Sequence, residues 1–359
     1  MTDYSEKDLE FALDAIQDSK IRNSKEFKEW IKKEENQKLF IELMAGKEAI
    51  LRERHLKKSR FKKRARIISL ISTAAAIAAF AIYLPDFFHH TPSLKTNQDI
   101  HFFIANANIN EVVLEMEEKK PEIIKDSFIA IPPSTTENVT EDEIKYQTIK
   151  TPRGKDFHIK LSDGTEVWLN AETSLKFPNA FTGKERRVLL SGEAFFNVAH
   201  NDKCPFIVCT EGIETKVLGT KFNVCSYTKE QRHITLVEGK VEVNNNNSKE
   251  STVLSPGQNI TYNSKNKSQI NKVNTAVYTA WTEGMFYFED KPLKEIMNTI
   301  GRWYNVDIYF ENEELYNITF NFWASRNSNI NDAIALLNDL GKVKIEITDD
   351  NKITVKKNK

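Results

Sequence analysis

FHIKLSDGTEVWLNAETSLKFPNAFTGKERRVLLSGEAFFNV, residues 157–198, is the stretch that decides the fold. Phe157, Ile159 and Leu161 alternate with polar residues, the period of a half-buried strand. Asp163-Gly164 then supplies hairpin chemistry, and Val167-Trp168-Leu169 resumes the extended pattern. Arg187–Leu190 and Ala194–Val198 read as two further strands separated at Ser191-Gly192. The same rhythm continues through Phe206–Cys209, Glu214–Leu218, Phe222–Tyr227, His233–Val237 and Lys240–Val243. Strands with glycine turns and no long helix predict an all-β domain over residues 146–262, either a sandwich or a β-helix-like stack.

Downstream the pattern changes. Met285–Phe288 reads as a strand, and Pro292 opens a helix with Leu293, Ile296, Met297, Ile300 and Trp303 on one face. Val306, Ile308 and Phe310 alternate, as do Ile318, Phe320 and Phe322. A second helix carries Ile330, Ala333, Ile334, Leu337 and Leu340, closed by Gly341, before strands at Val343–Ile347 and Ile353–Val355. Helix-Gly-strand occurs twice, at Ile300-Gly301 and Leu340-Gly341, which predicts an α+β domain over residues 280–359 built from a duplicated β-α-β unit.

Upstream, residues 85–145 read as a spacer with a few short strands, broken by Pro85, Pro92, Pro121, Pro132 and Pro133. Ile67–Leu84, IISLISTAAAIAAFAIYL, holds no charge and as a helix would be about 27 Å long, which predicts one transmembrane crossing. Lys57, Lys58, Arg60, Lys62, Lys63, Arg64 and Arg66 precede it without an acid, whereas residues 85–100 offer only Lys95. The positive-inside rule places the N-terminus in the cytoplasm and residues 85–359 beyond an inner membrane. Residues 1–66 read as a small helical module, with Leu9, Leu13, Ile16, Phe27, Trp30, Ile31, Phe40, Leu43 and Met44 at helical spacing and Ser5 and Ser24 as N-caps. About fifty residues bury little surface, so such a module completes its core against a partner or closes as a small bundle. The expected architecture is therefore multi-domain: helical module, transmembrane helix, spacer, all-β domain and C-terminal α+β domain.

The chain has 359 residues and balanced charge, 51 basic and 51 acidic, which excludes a uniformly basic nucleic-acid binder. No phosphate loop, nucleophile elbow or paired-His motif is present, so no catalytic set, cofactor or metal site is expected. Glu193 and Asp290 read as isolated carboxylates, and His89, His90 and His101 match no metal spacing. Cys204 and Cys209 face opposite sides of a strand, while Cys225 either pairs across strands or stays free.

LSDGTEVWLNAETSLKFPNAFTGKERRVLLSGEAFFNVAHNDKCPFIV (161–208), with VLGTKFNV (217–224) and LVEGKVEV (236–243), resembles the periplasmic domain of FecR-type transmembrane anti-sigma factors. LSPGQ (254–258) and AWTEGMFYFEDKPLKEIMNTIGRWYNVDI (280–308) are similar to the C-terminal continuation of the Bacteroidetes branch, whose last domain resembles the short N-terminal domain of secretins and TonB-dependent transducers. EFKEWIKKEENQKLFIELM (26–44) resembles the sigma-binding helices. The resemblance implies that the N-terminal module sequesters an extracytoplasmic-function sigma factor. The far side would sense the signalling domain of an outer-membrane TonB-dependent receptor, with site-specific membrane proteases relaying the signal. It puts Trp30, Phe40 and Leu43 on the sigma-facing surface. Sheet edges near Ile318–Phe322 and Val343–Ile347 would meet the receptor, with Thr319, Asn321, Lys344 and Glu346 facing it. The alternative is a tethered envelope module that stacks glycan on Trp168, Trp281, Trp303 and Trp323. A membrane-anchored enzyme would need a convergent polar cleft.

Overall fold

The structure is a computed structural model. It describes residues 100–104, 111–116, 120–132, 144–229, 231–348 and 352–358, together with positions 5, 7, 8, 11, 12, 26 and 30. Two compact units divide the chain, Met1–Lys95 and Thr96–Lys359. In the first, Lys7, Asp8, Phe11 and Ala12 are helical, and Ser5 Oγ accepts from the Asp8 amide at 3.1 Å, an N-cap bond.

In the second unit the strands are, in chain order, β1 (Ile100–Phe103), β2 (Val112–Met116), β3 (Glu122–Ile124), β4 (Phe128–Ala130), β5 (Tyr146–Thr151) and β6 (Phe157–Lys160). Next come β7 (Glu166–Leu169), β8 (Thr173–Pro178), β9 (Arg186–Asn197), β10 (Phe206–Thr210), β11 (Ile213–Val217) and β12 (Lys221–Ser226). Beyond these lie β13 (Arg232–Glu238), β14 (Val241–Asn245), β15 (Glu250–Leu254), β16 (Gln258–Tyr262) and β17 (Ser268–Lys272). Last are α1 (Ala276–Thr279), β18 (Met285–Pro292), α2 (Leu293–Tyr304), β19 (Asp307–Phe310), β20 (Thr319–Ser325), α3 (Ile330–Asp339), β21 (Val343–Thr348) and β22 (Lys352–Lys357).

Strands β2 to β17 form two layers around one core that includes Phe157, Leu169, Phe177, Phe196, Phe206, Phe222 and Leu236. Strand β9 belongs to both layers. Its first half pairs with β8 and β10, and its second half with β7 and β12. The two strands expected at 187–190 and 194–198 are thus one strand, and the presumed break at Gly192 is where it changes sheets. Gly192 has φ +109°, and a Cβ there would sit 2.7 Å from Thr173 Cα. Only glycine allows the bend and the close approach.

The expected fold class needs correction. From Thr96 onward the described chain is mostly β-sheet with three short α-helices, α1 to α3. Among the described residues no helix is long and apolar enough to cross a membrane, and residues 67–84 lie outside them. Nor is the C-terminal part an α+β domain with a duplicated β-α-β unit. Strand β18 pairs with β20 in a two-stranded ribbon, whereas β19 joins β1, β22 and β21 in another sheet. Each helix therefore carries the chain from one sheet to the other instead of back into the same one. Gly301 does not end its helix either. Helix α2 runs on to Tyr304 and closes at Asn305 with φ +52°, while Gly301 makes room for Phe103, whose Cδ1 would lie 2.7 Å from an added Cβ. Phe103 comes from β1, so part of the expected spacer completes the C-terminal sheet and core.

Candidate functional site

The sandwich and the C-terminal elements meet through two buried arginines. The last turn of helix α2 carries Arg302, whose Nε donates to Glu172 Oε2 at 3.1 Å and whose guanidinium lies 3.5 Å from the centre of the Tyr227 ring. Arg153 donates to the other Glu172 oxygen at 2.6 Å. Glu172 stands in the β7–β8 turn at φ +57°, a conformation that aims its carboxylate at both arginines. Strand β20 ends at Ser325, and the next residue, Arg326, is 3% exposed. It donates to Asn170 Oδ1 at 2.6 Å and to the Trp281 carbonyl at 3.2 Å, and stacks 3.6 Å from the centre of the Trp303 ring. Burial pulls its guanidinium below the usual arginine range, with the Asp156 carboxylate opposing that fall. Arginine keeps its charge over any ordinary pH range, so these bonds are charge-assisted.

Behind the arginines lies a row of polar side chains on the sandwich. Glu193 Oε2 accepts from Asn170 at 2.7 Å and Oε1 from Asn223 at 2.9 Å, and Asn223 Oδ1 accepts from Trp281 Nε1 at 3.3 Å. Desolvation pushes the Glu193 carboxyl up, although both amides pull the other way. Glu193, expected as ordinary surface charge, is in fact central to the junction between the domains. Arg302 is 130 residues from its partner Glu172, and Arg326 is 156 from Asn170. No local spacing could have signalled either contact; the only hint in sequence was the pair of arginines at the ends of elements.

The sequence-predicted residues fall in separate places. Trp30 is helical and half-buried; its Nε1 donates to Asp8 Oδ1 at 2.6 Å and its ring meets Phe11 edge-on at 5.4 Å. Phe40 and Leu43 lie outside the described residues. Thr319 and Asn321 are exposed on β20, and Asn321 Oδ1 accepts from the Asp290 amide at 2.7 Å, bracing the irregularity of β18. Lys344 and Glu346 pair with each other on β21, and Glu346 also holds Lys356 at 2.8 Å. Strand β21 is the outermost of its sheet. Cys204, Cys209 and Cys225 are all free thiols. Trp168 is no open platform, because His158 stacks on its face at 4.2 Å and 9°. Trp281 is buried, and Trp303 is covered by Arg326.

A sandwich clasped in this way to a small two-sheet C-terminal part defines a class. Residues 147–242 match the family FecR protein, and residues 285–355 match the family FecR, C-terminal. The chain is also similar to a candidate anti-sigma factor from Parabacteroides distasonis ATCC 8503, seen in two crystal structures. Identity is 28% and the TM-score 0.55 in both, covering 59% and 60% of this chain and 99% and 100% of those chains. No curated protein matches the sequence. The FecR-type resemblance read from the sequence is thereby borne out.

Proposed function

We propose that the chain sequesters an extracytoplasmic-function sigma factor through its N-terminal residues and is relieved by the signalling domain of a TonB-dependent receptor. The sigma-facing residues would lie in the cytoplasm and residues 85–359 in the periplasm. Trp30, Phe40 and Leu43 serve the sigma factor in this reading. Thr319, Asn321, Lys344 and Glu346 flank the receptor surface, and proteases that cut the chain would end the inhibition.

The observation that carries the receptor half is the edge of β21. Val343, Ile345 and Ile347 share one orientation along the strand, since hydrogen-bonding direction alternates. Asn338 of α3 already occupies Ile345, accepting its amide at 2.6 Å and donating to its carbonyl at 2.8 Å. The amide of Ile347 points the same way, away from β22, and is placed to receive a strand from a partner, whereas Val343 is buried. Lys344 and Glu346 stand beside that strand and offer it charge.

The test is binding of the full chain to a purified receptor signalling domain. Ile347→Pro removes an outward donor without touching the β21–β22 ladder and should weaken binding at least tenfold, and Lys344→Glu should weaken it less. A folded Ile347→Pro chain that binds as the parent does would remove edge addition from the proposal. The glycan alternative draws no support from the covered faces of Trp168 and Trp303.

A further inference from the structure

Three adjacent strands set Glu193, Cys225 and His233 in one line across a sheet. Cys225 of β12 lies directly opposite Glu193 of β9 on one side and His233 of β13 on the other. Opposed residues project from the same face, so the backbone ladder itself brings a carboxyl, a thiol and an imidazole together. One ligand atom from each lies within 4.8 Å of the others. The Nδ1 of His233 is buried without a hydrogen-bond partner. The Cys225 thiol is buried and donates to the Gln231 carbonyl at 3.6 Å. Tyr278 closes over His233 edge-on at 5.0 Å.

We propose that Glu193, Cys225 and His233 bind one divalent transition-metal ion of the zinc class, with water in the fourth position. Thiolate, imidazole and carboxylate form a borderline donor set, suited to Zn2+ and not to Mg2+ or Ca2+, which take oxygen ligands. Bond lengths of about 2.0–2.3 Å in a tetrahedron put ligand atoms roughly 3.3–3.8 Å apart, so modest side-chain rotations close the remaining gap. Asn170 and Asn223 each donate to one carboxylate oxygen and fix its direction, the task of supporting groups around a metal. The surrounding cations are Arg302 and Arg326, which face Glu193, and Lys291, which faces His233 and is held by Glu295. Loading releases the thiol proton, and the thiolate and carboxylate then balance the two charges of the ion. Asn170 touches both Glu193 and Arg326, so an ion here would stiffen the arginine clasp.

The test uses the purified full chain, stripped with a chelator in a thiol-free reductant and titrated with Co2+ as the spectroscopic probe. Binding should saturate at one equivalent with a thiolate-to-cobalt charge-transfer band. Cys225→Ser should abolish that band and His233→Gln should weaken binding at least tenfold. Cys204→Ser and Cys209→Ser should change neither. Melting of the stripped variants beside the stripped parent shows whether they fold; if Cys225→Ser does not, His233→Gln decides alone. No band in the parent, a band that survives Cys225→Ser, or unchanged affinity in His233→Gln overturns the site.

Discussion

Replacing Arg326 by methionine keeps the aliphatic stem and removes the guanidinium, which isolates what the clasp contributes. Two charge-assisted hydrogen bonds disappear, to Asn170 at 2.6 Å and to the Trp281 carbonyl at 3.2 Å. Each is worth about 1.5–3 kcal/mol. Stacking on Trp303 at 3.6 Å adds about 2 kcal/mol in a site this dry. Against this gross loss of roughly 5–8 kcal/mol stands the desolvation cost of a buried cation, several kcal/mol, which the variant no longer bears. Asn170 Oδ1 keeps its bond from the Ala171 amide at 2.8 Å, so no acceptor is orphaned there. Asp156, whose side chain is 46% exposed, turns to water. The net loss is about 2–4 kcal/mol, or roughly 5–15 °C in melting temperature at this size. Scanning calorimetry of the full chain is the assay. The transition of the C-terminal part should fall toward separation from that of the sandwich, because one of the two arginine contacts that couple them is gone while Arg302 still holds Glu172. A variant that melts within about 1 °C of the parent in an unchanged transition would refute the clasp.

Gly192→Ala should destabilise the sandwich by about 3–5 kcal/mol in denaturant unfolding, since φ +109° and a Cβ 2.7 Å from Thr173 Cα add strain to overlap. A loss below about 1 kcal/mol would contradict the sheet change at that residue. Asn338→Ala should cost about 1 kcal/mol and speed hydrogen exchange at the Ile345 amide, because the side chain that guards the edge is lost. An Ile345 amide as protected as before would show that the guard is not Asn338. Trp30→Ala removes both the bond to Asp8 and the packing on Phe11, so it should lower the helical signal of the N-terminal residues and release the sigma factor together. Release with unchanged helicity would instead place Trp30 in the interface alone.

Short-range chemistry was readable, and pairings across long separations were not. Alternation at Phe157, Ile159 and Leu161 and the turn at Asp163-Gly164 give β6, β7 and their hairpin, with Gly164 at φ +86°. Leu293, Ile296, Met297 and Ile300 are all buried on α2, and Gly341 takes φ +72° just after α3. These features depend on residues a few positions apart. Gly192 misled because a glycine between two apolar runs looks like a turn, whereas here it bends a continuous strand. Gly301 misled in the same way, because its role is set by Phe103, far away in sequence. Helical periodicity around α2 and α3 carried no information on which sheet each following strand would join, and the β-α-β reading failed on that point. The site was hidden for a related reason. Glu193 has no acidic or basic neighbour in sequence that explains it, and its partners Asn170, Asn223, Cys225 and His233 come from two other strands and a turn.

A sigma factor held by the N-terminal residues is the expectation on which the functional reading rests. Purifying the tagged full chain from its native cells, with mass spectrometry of what accompanies it, tests this most directly. The predicted result is one extracytoplasmic-function sigma factor in near-equal amount, absent when residues 1–66 are deleted, with that factor's target genes rising on deletion. A full chain that retains no sigma factor, or one that persists without residues 1–66, would contradict it.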